Sequence, residues 1–351
     1  MGYFTMDTLH LTVQTTTLVR ILGLGFLGFL LSMLLTPLYT TAAYRWQWWK
    51  KPRTTTVTGA PATVFTKLHA EKHKRLIPTM AGVVFVLATA IVTILFNLSR
   101  VQTWLPLAAF VGAASVGLLD DFINITGSGG GKAGLPTKIK LMMIGLVALI
   151  GGWFFYHKLD INSIHIPWGA EWHVGIWIIP IFVLVVVATA NAVNISDGLD
   201  GLAGGLCSIA FIVYAIIAFF EGRFGVAGFC MTIVGALLSY TWFNIYPARF
   251  FMGDVGSFAL GTALGVVAML TNTVILLPLI GFVFVAEAGS VILQITSKKL
   301  RHGKKIFKIS PLHHHFEASG WPETKVTMRF WIIGQVCAVL GLMLFLVGKW
   351  L

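Results

Sequence analysis

The stretch VGIWIIPIFVLVVVATANAVNISDGLDGLAGG, Val174 to Gly205, begins with twenty residues without a charge and ends on asparagines, aspartates and glycines. Twenty apolar residues are about what a helix needs to cross the hydrocarbon core of a bilayer. Lipid offers the backbone no hydrogen-bond partner, so such a run is read as a helix, which satisfies its own peptide groups. Comparable runs occupy 18–40, 78–97, 104–120, 140–157, 202–220, 225–243, 257–273, 275–296 and 327–348. With 174–193 they make ten. Of the 351 residues, 57% are hydrophobic and 11% charged, against about 25% charged in an average soluble domain. Mean hydropathy is +0.84. The sequence therefore predicts an all-α polytopic membrane protein, one integral-membrane domain over residues 1–351 with about ten transmembrane helices. The first apolar run is followed by aromatics and bases, without a small-residue cleavage site, and is expected to be a retained span.

Lysine and arginine placement gives the orientation. The loop 44–77 carries eight, 120–140 three, 244–256 one and 297–329 eight, twenty of the 25. In a ten-span chain these segments share one side, so the loops at about 41–77, 120–140, 194–201, 244–256 and 297–326 are expected in the cytoplasm and both termini outside. This asymmetry accounts for most of the net charge of +12 and removes nucleic acid as the expected partner. Cys207, Cys230 and Cys337 lie inside predicted spans without metal-ligand spacing and read as small packing residues. GSGGGK, Gly127 to Lys132, lacks the spacing of a phosphate loop and reads as a linker.

Only 13 acidic residues occur, so their placement carries information. Asp120, Asp121, Asp197, Asp200 and Asp254 all fall at predicted cytoplasmic helix ends or just beyond, and Glu287 alone lies within a span. Acids at a membrane boundary are costly unless hydrated, paired or metal-bound. In VGLLDDFINI, Asp120 and Asp121 point about 100° apart on a helix, so one is expected to meet a reacting group while the other holds a cation or a lysine. In NAVNISDGLDGLAGG, Asn191, Asn194, Asp197 and Asp200 recur every third residue and would share a face pairwise if the helix continued. Its glycines serve close packing or ligand approach equally well. In NIYPARFFMGDVGSFALG, Gly253 and Gly256 leave room around Asp254, and Asn244 adds a hydrogen-bonding amide. Hard oxygen ligands of this kind suit Mg²⁺. Near them stand the phosphate-binding side chains Lys74, Lys138, Lys140 and His313, His314 and His315. Carboxylates for a cation and bases for anionic oxygens are what phosphoryl transfer needs. The boundary location implies a lipid substrate.

Through NAVNISDGLDGLAGG, FMGDVGS, KRLIPTMAG and PLHHHFEASGWPE the chain resembles the polyprenyl-phosphate N-acetylhexosamine-1-phosphate transferase superfamily (glycosyltransferase family 4). PLHHHFE followed by GWPE resembles its phospho-N-acetylmuramoyl-pentapeptide transferase branch rather than its GlcNAc-phosphate relatives. The resemblance implies an enzyme of the bacterial inner membrane. It would convert UDP-MurNAc-pentapeptide and undecaprenyl phosphate, with Mg²⁺, to lipid I and UMP, as a homodimer. By motif, Asp254 would be the metal ligand, Asp120 would act on the lipid phosphate and Asp121 would support it. Asn194, Asp197, Asp200 and Asn244 would shape the uridine and phosphate pocket, with Gly253 and Ser257 beside them. Lys74 and Thr79 would meet the sugar phosphate, Lys140 the phosphates, and Gln294 and the three histidines the nucleotide-sugar. Phe251 either stacks on uracil or packs. The chain departs from the family pattern at Glu71, at Leu76-Ile77 and at Asn124, which stand where a histidine, Gly-Thr and a base are usual.

Three rival readings follow from the same residues. An ion-coupled transporter would place its acids near the bilayer midplane in repeated, broken helices. A zinc enzyme on the histidines would need ligand spacing that is missing here. A GlcNAc-1-phosphate transferase would use the same lipid. Pro278 and Gly281 are expected to bend the ninth span and open a groove for the polyprenyl chain.

Overall fold

The computed structural model describes residues 6–49, 76–127, 134–166, 169 and 171–350. Lys74 and Glu71 lie outside them. Among the described residues, eight helices are long and apolar enough to cross a membrane, or nine if one bent pair counts as a span. α1 spans Met6–Arg45, and a shorter helix α2 follows at Gly82–Phe96. Then come α3 (Trp104–Thr126), α4 (Thr137–Leu159), α5 (Ile178–Ser196), α6 (Leu202–Phe220), α7 (Phe224–Asn244) and α8 (Gly253–Leu270). The last helices are the short α9 (Leu277–Ile280), α10 (Phe282–Leu300), the six-residue α11 (Leu312–Glu317) and α12 (Glu323–Trp350). A two-stranded antiparallel hairpin, β1 (Ser163–His165) with β2 (Glu171–His173), joins α4 to α5.

Every predicted span coincides with a helix, but two are not simple crossings. α2 has 15 residues, a rise of roughly 22 Å, shorter than the hydrocarbon core. The irregular segment 76–81 precedes it, held by main-chain bonds from Thr79 to Trp48 and from Phe251 to Pro78. The span expected over 275–296 is broken at Gly281, where α10 leaves the preceding turn of helix at 82°. Pro278 and Gly281 mark that break in the sequence.

α8 is the axis of the bundle: all 18 of its residues are buried. It packs along α3 and α5 and also meets α2. Glycines make this closeness possible. A methyl group on Gly117 of α3 would collide with the Asp254 carbonyl, and one on Gly82 of α2 would collide with the Gly256 backbone. On α8 itself, Gly261 faces the Thr189 carbonyl and Ala190, where a Cβ would come within 2.5 Å. The outer helices carry the lipid-facing surface, with Phe26, Leu34 and Leu38 exposed on α1 and Ile332, Val336 and Met343 on α12.

Candidate active site

Two helix boundaries correct the predicted geometry of the acids. α3 runs six residues past the expected end of its span, so Asp120 and Asp121 lie inside the helix, fully buried. α8 starts four residues early, which puts Asp254 in its first turn. The angle of about 100° between Asp120 and Asp121 gives them different partners but does not keep their oxygens apart. The N-terminus of α8 wedges against α3, and oxygens of Asp120, Asp121 and Asp254 all come within 4.8 Å of one another. The helix N-terminus adds a partial positive charge beside them.

Each carboxylate is held. Lys140, in the first turn of α4, places Nζ 2.8 Å from Asp120 Oδ2 and 2.8 Å from Asp254 Oδ2. The Leu135 N–H donates to Asp120 Oδ1 at 2.5 Å, and the Val255 N–H to Asp121 Oδ2 at 3.2 Å. Gly253 must be glycine: its φ is +71°, and a Cβ would collide with Asp121 Oδ2. Three hard oxygen donors at this spacing fit a small divalent cation, with Asp120 and Asp121 joining Asp254 in the candidate set.

Asn194 is on α5 and donates through Nδ2 to Ser257 Oγ at 2.8 Å, and Ser257 Oγ donates to the Gly253 carbonyl at 3.1 Å. The helix does not continue through the asparagine–aspartate series. α5 stops at Ser196 and residues 197–201 form a turn, with Gly201 at φ +76°. Asn194, Asp197 and Asp200 therefore share no helical face. Asp197 is half-buried at the end of α5, whereas Asp200 is buried.

Several predicted ligand-binding side chains are engaged with backbone. Asp200 Oδ2 accepts the Ala248 N–H at 3.0 Å, and Asn244 Oδ1 accepts the Gly201 N–H at 2.9 Å. Asn244 Nδ2 donates to the Phe250 carbonyl, and Glu323 Oε1 accepts the Asp200 N–H at 2.7 Å. These bonds tie the 197–201 turn to the 245–252 loop and to α12. Gln294 is buried, and its amide takes the N–H groups of Ile306 and Phe307 and donates to the Phe307 carbonyl. These bonds tie α10 to the 306–307 main chain. Phe251 is half-buried. Thr79 is buried and its hydroxyl has no protein partner among the described residues, while its carbonyl accepts the Tyr39 hydroxyl at 2.7 Å.

The three histidines lie on helix α11, where a loop was expected, and they diverge. His313 Nδ1 is 3.0 Å from Glu287 Oε2, His314 Nδ1 is 2.7 Å from Glu317 Oε2, and His315 Nδ1 accepts the Lys308 N–H at 3.1 Å. Rings turned to three different partners do not converge on one ion. Two residues with structural roles in the site were not assigned from sequence. Glu323 belongs to GWPE, and Glu287 was visible only as the one acid inside a span.

The profile of glycosyl transferase family 4 matches residues 103–272, from α3 to the end of α8. A phospho-N-acetylmuramoyl-pentapeptide-transferase of Chloroflexus aurantiacus is 42% identical over 283 residues, 77% of each chain. Proteins of the same name from Thermodesulfovibrio yellowstonii and Clostridium novyi are 39% and 40% identical. The alignments cover 79% and 77% of this chain and 81% and 84% of theirs. With identity at this level across more than three quarters of its length, the chain belongs to the phospho-N-acetylmuramoyl-pentapeptide-transferase family, within glycosyl transferase family 4.

Proposed function

We propose that this multi-pass membrane protein transfers phospho-N-acetylmuramoyl-pentapeptide from UDP-MurNAc-pentapeptide to undecaprenyl phosphate, producing lipid I and UMP in the bacterial inner membrane. The observation that carries the reading is the meeting of Asp120, Asp121 and Asp254 with Lys140 at one end of the spanning helices. An ion path would run through the bundle, but α8 fills its centre with packed small residues.

The cation is Mg²⁺, held by Asp254 with Asp120 and Asp121. When bound it neutralises diphosphate oxygens and the leaving UMP. The residues of the chain do the rest. A phosphate monoester has a second pKa of about 6, so the lipid phosphate arrives largely as the dianion and needs orientation more than a strong base. Asp120 holds the Lys140 ammonium that orients this nucleophile for direct attack on the β-phosphate. Lys140 offers an ammonium to the oxygens in transit, and Asp121 keeps the start of α8 in place through the Val255 N–H. The 197–201 turn, with Asp197 in it and Asn194 before it, faces the nucleotide, and the α11 histidines and Lys74 complete the donor's pocket. Asp200, Asn244 and Gln294 hold these segments from behind.

The experiment is UMP release by the purified protein with undecaprenyl phosphate and Mg²⁺, offering UDP-MurNAc-pentapeptide or UDP-GlcNAc in parallel. Release with the first donor only is expected. Release with UDP-GlcNAc alone moves the protein to the related transferases, and no UMP from either sinks the enzymatic reading. Direct attack predicts no covalent intermediate. A phospho-aspartate found by mass spectrometry after incubation with nucleotide-sugar and no lipid would establish two-step transfer instead.

A further inference from the structure

Glu287 is fully buried in α10, two turns past the 82° break, inside a segment otherwise apolar around it. A carboxylate in such a place must find hydrogen-bond donors or lose its charge. It finds both in one residue. Oε1 accepts the main-chain N–H of His313 at 3.2 Å, and Oε2 lies 3.0 Å from the His313 Nδ1, off the line of a straight hydrogen bond. The other ring nitrogen, Nε2, is also buried and has no protein partner among the described residues, although buried polar atoms nearly always have one. It points at the main chain of Gly198, where a Cβ would collide with it. The turn that receives it, 197–201, follows Asn194 and contains Asp197 and Asp200. Thus one acid in a broken span grips a histidine whose free nitrogen is aimed at the other side of the site.

We propose that Glu287 is a positioning residue that holds His313 as the Nδ1–H tautomer, so that Nε2 presents a lone pair to a hydroxyl or imide N–H of the nucleotide-sugar. The proposal rests on the reaction proposed above and names a contact within it. The main-chain bond and the ring contact to Glu287 are what make the tautomer testable. The main-chain N–H of His313 needs an acceptor, so a glutamine at 287 would keep its carbonyl oxygen there and turn its NH₂ to the ring. That NH₂ must donate to Nδ1, which forces the proton onto Nε2 and converts the acceptor into a donor. Glu287→Gln preserves shape and reverses the chemistry.

The experiment uses the full-length protein in detergent, labelled with ¹⁵N-histidine, alone and with UDP-MurNAc-pentapeptide or undecaprenyl phosphate. In the parent, Nε2 of His313 should resonate as an unprotonated acceptor and move with the nucleotide-sugar but not with the lipid. In Glu287→Gln it should resonate as N–H. Its kcat/KM for the nucleotide-sugar should fall about 10- to 100-fold, the usual effect of removing a partner that orients a functional imidazole, with the KM for lipid phosphate unchanged. Glu287→Asp, which keeps a carboxylate, should recover part of the loss. The proposal is overturned if His313 keeps Nδ1–H in the glutamine variant, if both KM values rise together, or if Nε2 ignores the nucleotide-sugar, which would assign it to an ordered water. Should the glutamine variant not accumulate, the parent's Nε2 signal and its response to donor decide alone. A parent that releases no UMP removes the reaction beneath the proposal, while the tautomer result still decides the Glu287–His313 pair.

Discussion

Lys140 is the residue on which the carboxylate cluster most depends. Among the described residues its ammonium is the cation seen to bridge two of the acids, and it joins α4 to both α3 and α8. Lys140→Met keeps the length and removes the charge, leaving Asp120 and Asp254 to repel each other across a buried gap. UMP release should fall about 10²- to 10³-fold, the loss typical of a charge-stabilising donor, and a parent-like rate would show that the ammonium takes no part. The identity of the cluster was legible in sequence, because five acids stood at predicted helix ends in a chain with few others. Its convergence was not. Azimuth on a single helix separates Asp120 from Asp121, and only the position of a second helix, 130 residues later, brings both to one point. The main-chain partners of Gln294 and Asn244 were not legible for a related reason. An amide suited to a ligand is equally suited to a main-chain turn, and the sequence does not say which reaches it first.

At the scale of elements, the spans were legible because a lipid-length apolar run leaves a helix as its one solution. The ends were less so, since polar residues such as Asp120 and Asp254 remain helical once tertiary contacts satisfy them. The six extra residues of α3 and the four of α8 are what build the site. The contact between these helices rests on Gly117, and Gly117→Val puts a branched side chain against the Asp254 backbone. Overpacking of this sort costs about 1–3 kcal/mol, so the thermal midpoint in detergent should drop by several degrees, together with activity. A midpoint equal to that of the parent would mean that α3 can move away freely. The three-residue strands of the hairpin gave no periodic signal in sequence, being too short to show alternation.

For the whole molecule, the asymmetry of lysines and arginines predicts that residues 297–326 face the cytoplasm and that the β1–β2 hairpin faces outward. The fold places Asp254 and Leu270 at opposite ends of α8, about 24 Å apart along the helix, with Asn272 just beyond. A membrane-impermeant maleimide applied to intact cells should label a cysteine placed at Glu171 and leave one at Lys304 untouched until the membrane is opened. Labelling in the reverse order would invert the protein and separate the acids from any cytoplasmic nucleotide. The orientation expected rests on loop charge alone, whereas the depth of each acid depends on packing between distant helices.

Because no residue of α8 meets lipid, the medium around the protein touches the helix of Asp254 only through its neighbours. Replacing a bilayer with a micelle changes the surroundings of α1 and α12 first, and leaves every contact of the central rod as it was. The Asp254 carboxylate is in this sense moored to protein rather than to membrane, insulated by a layer of helices. Thickness, lateral pressure and headgroup composition then act on how the lipid substrate arrives, and not on where the acid stands.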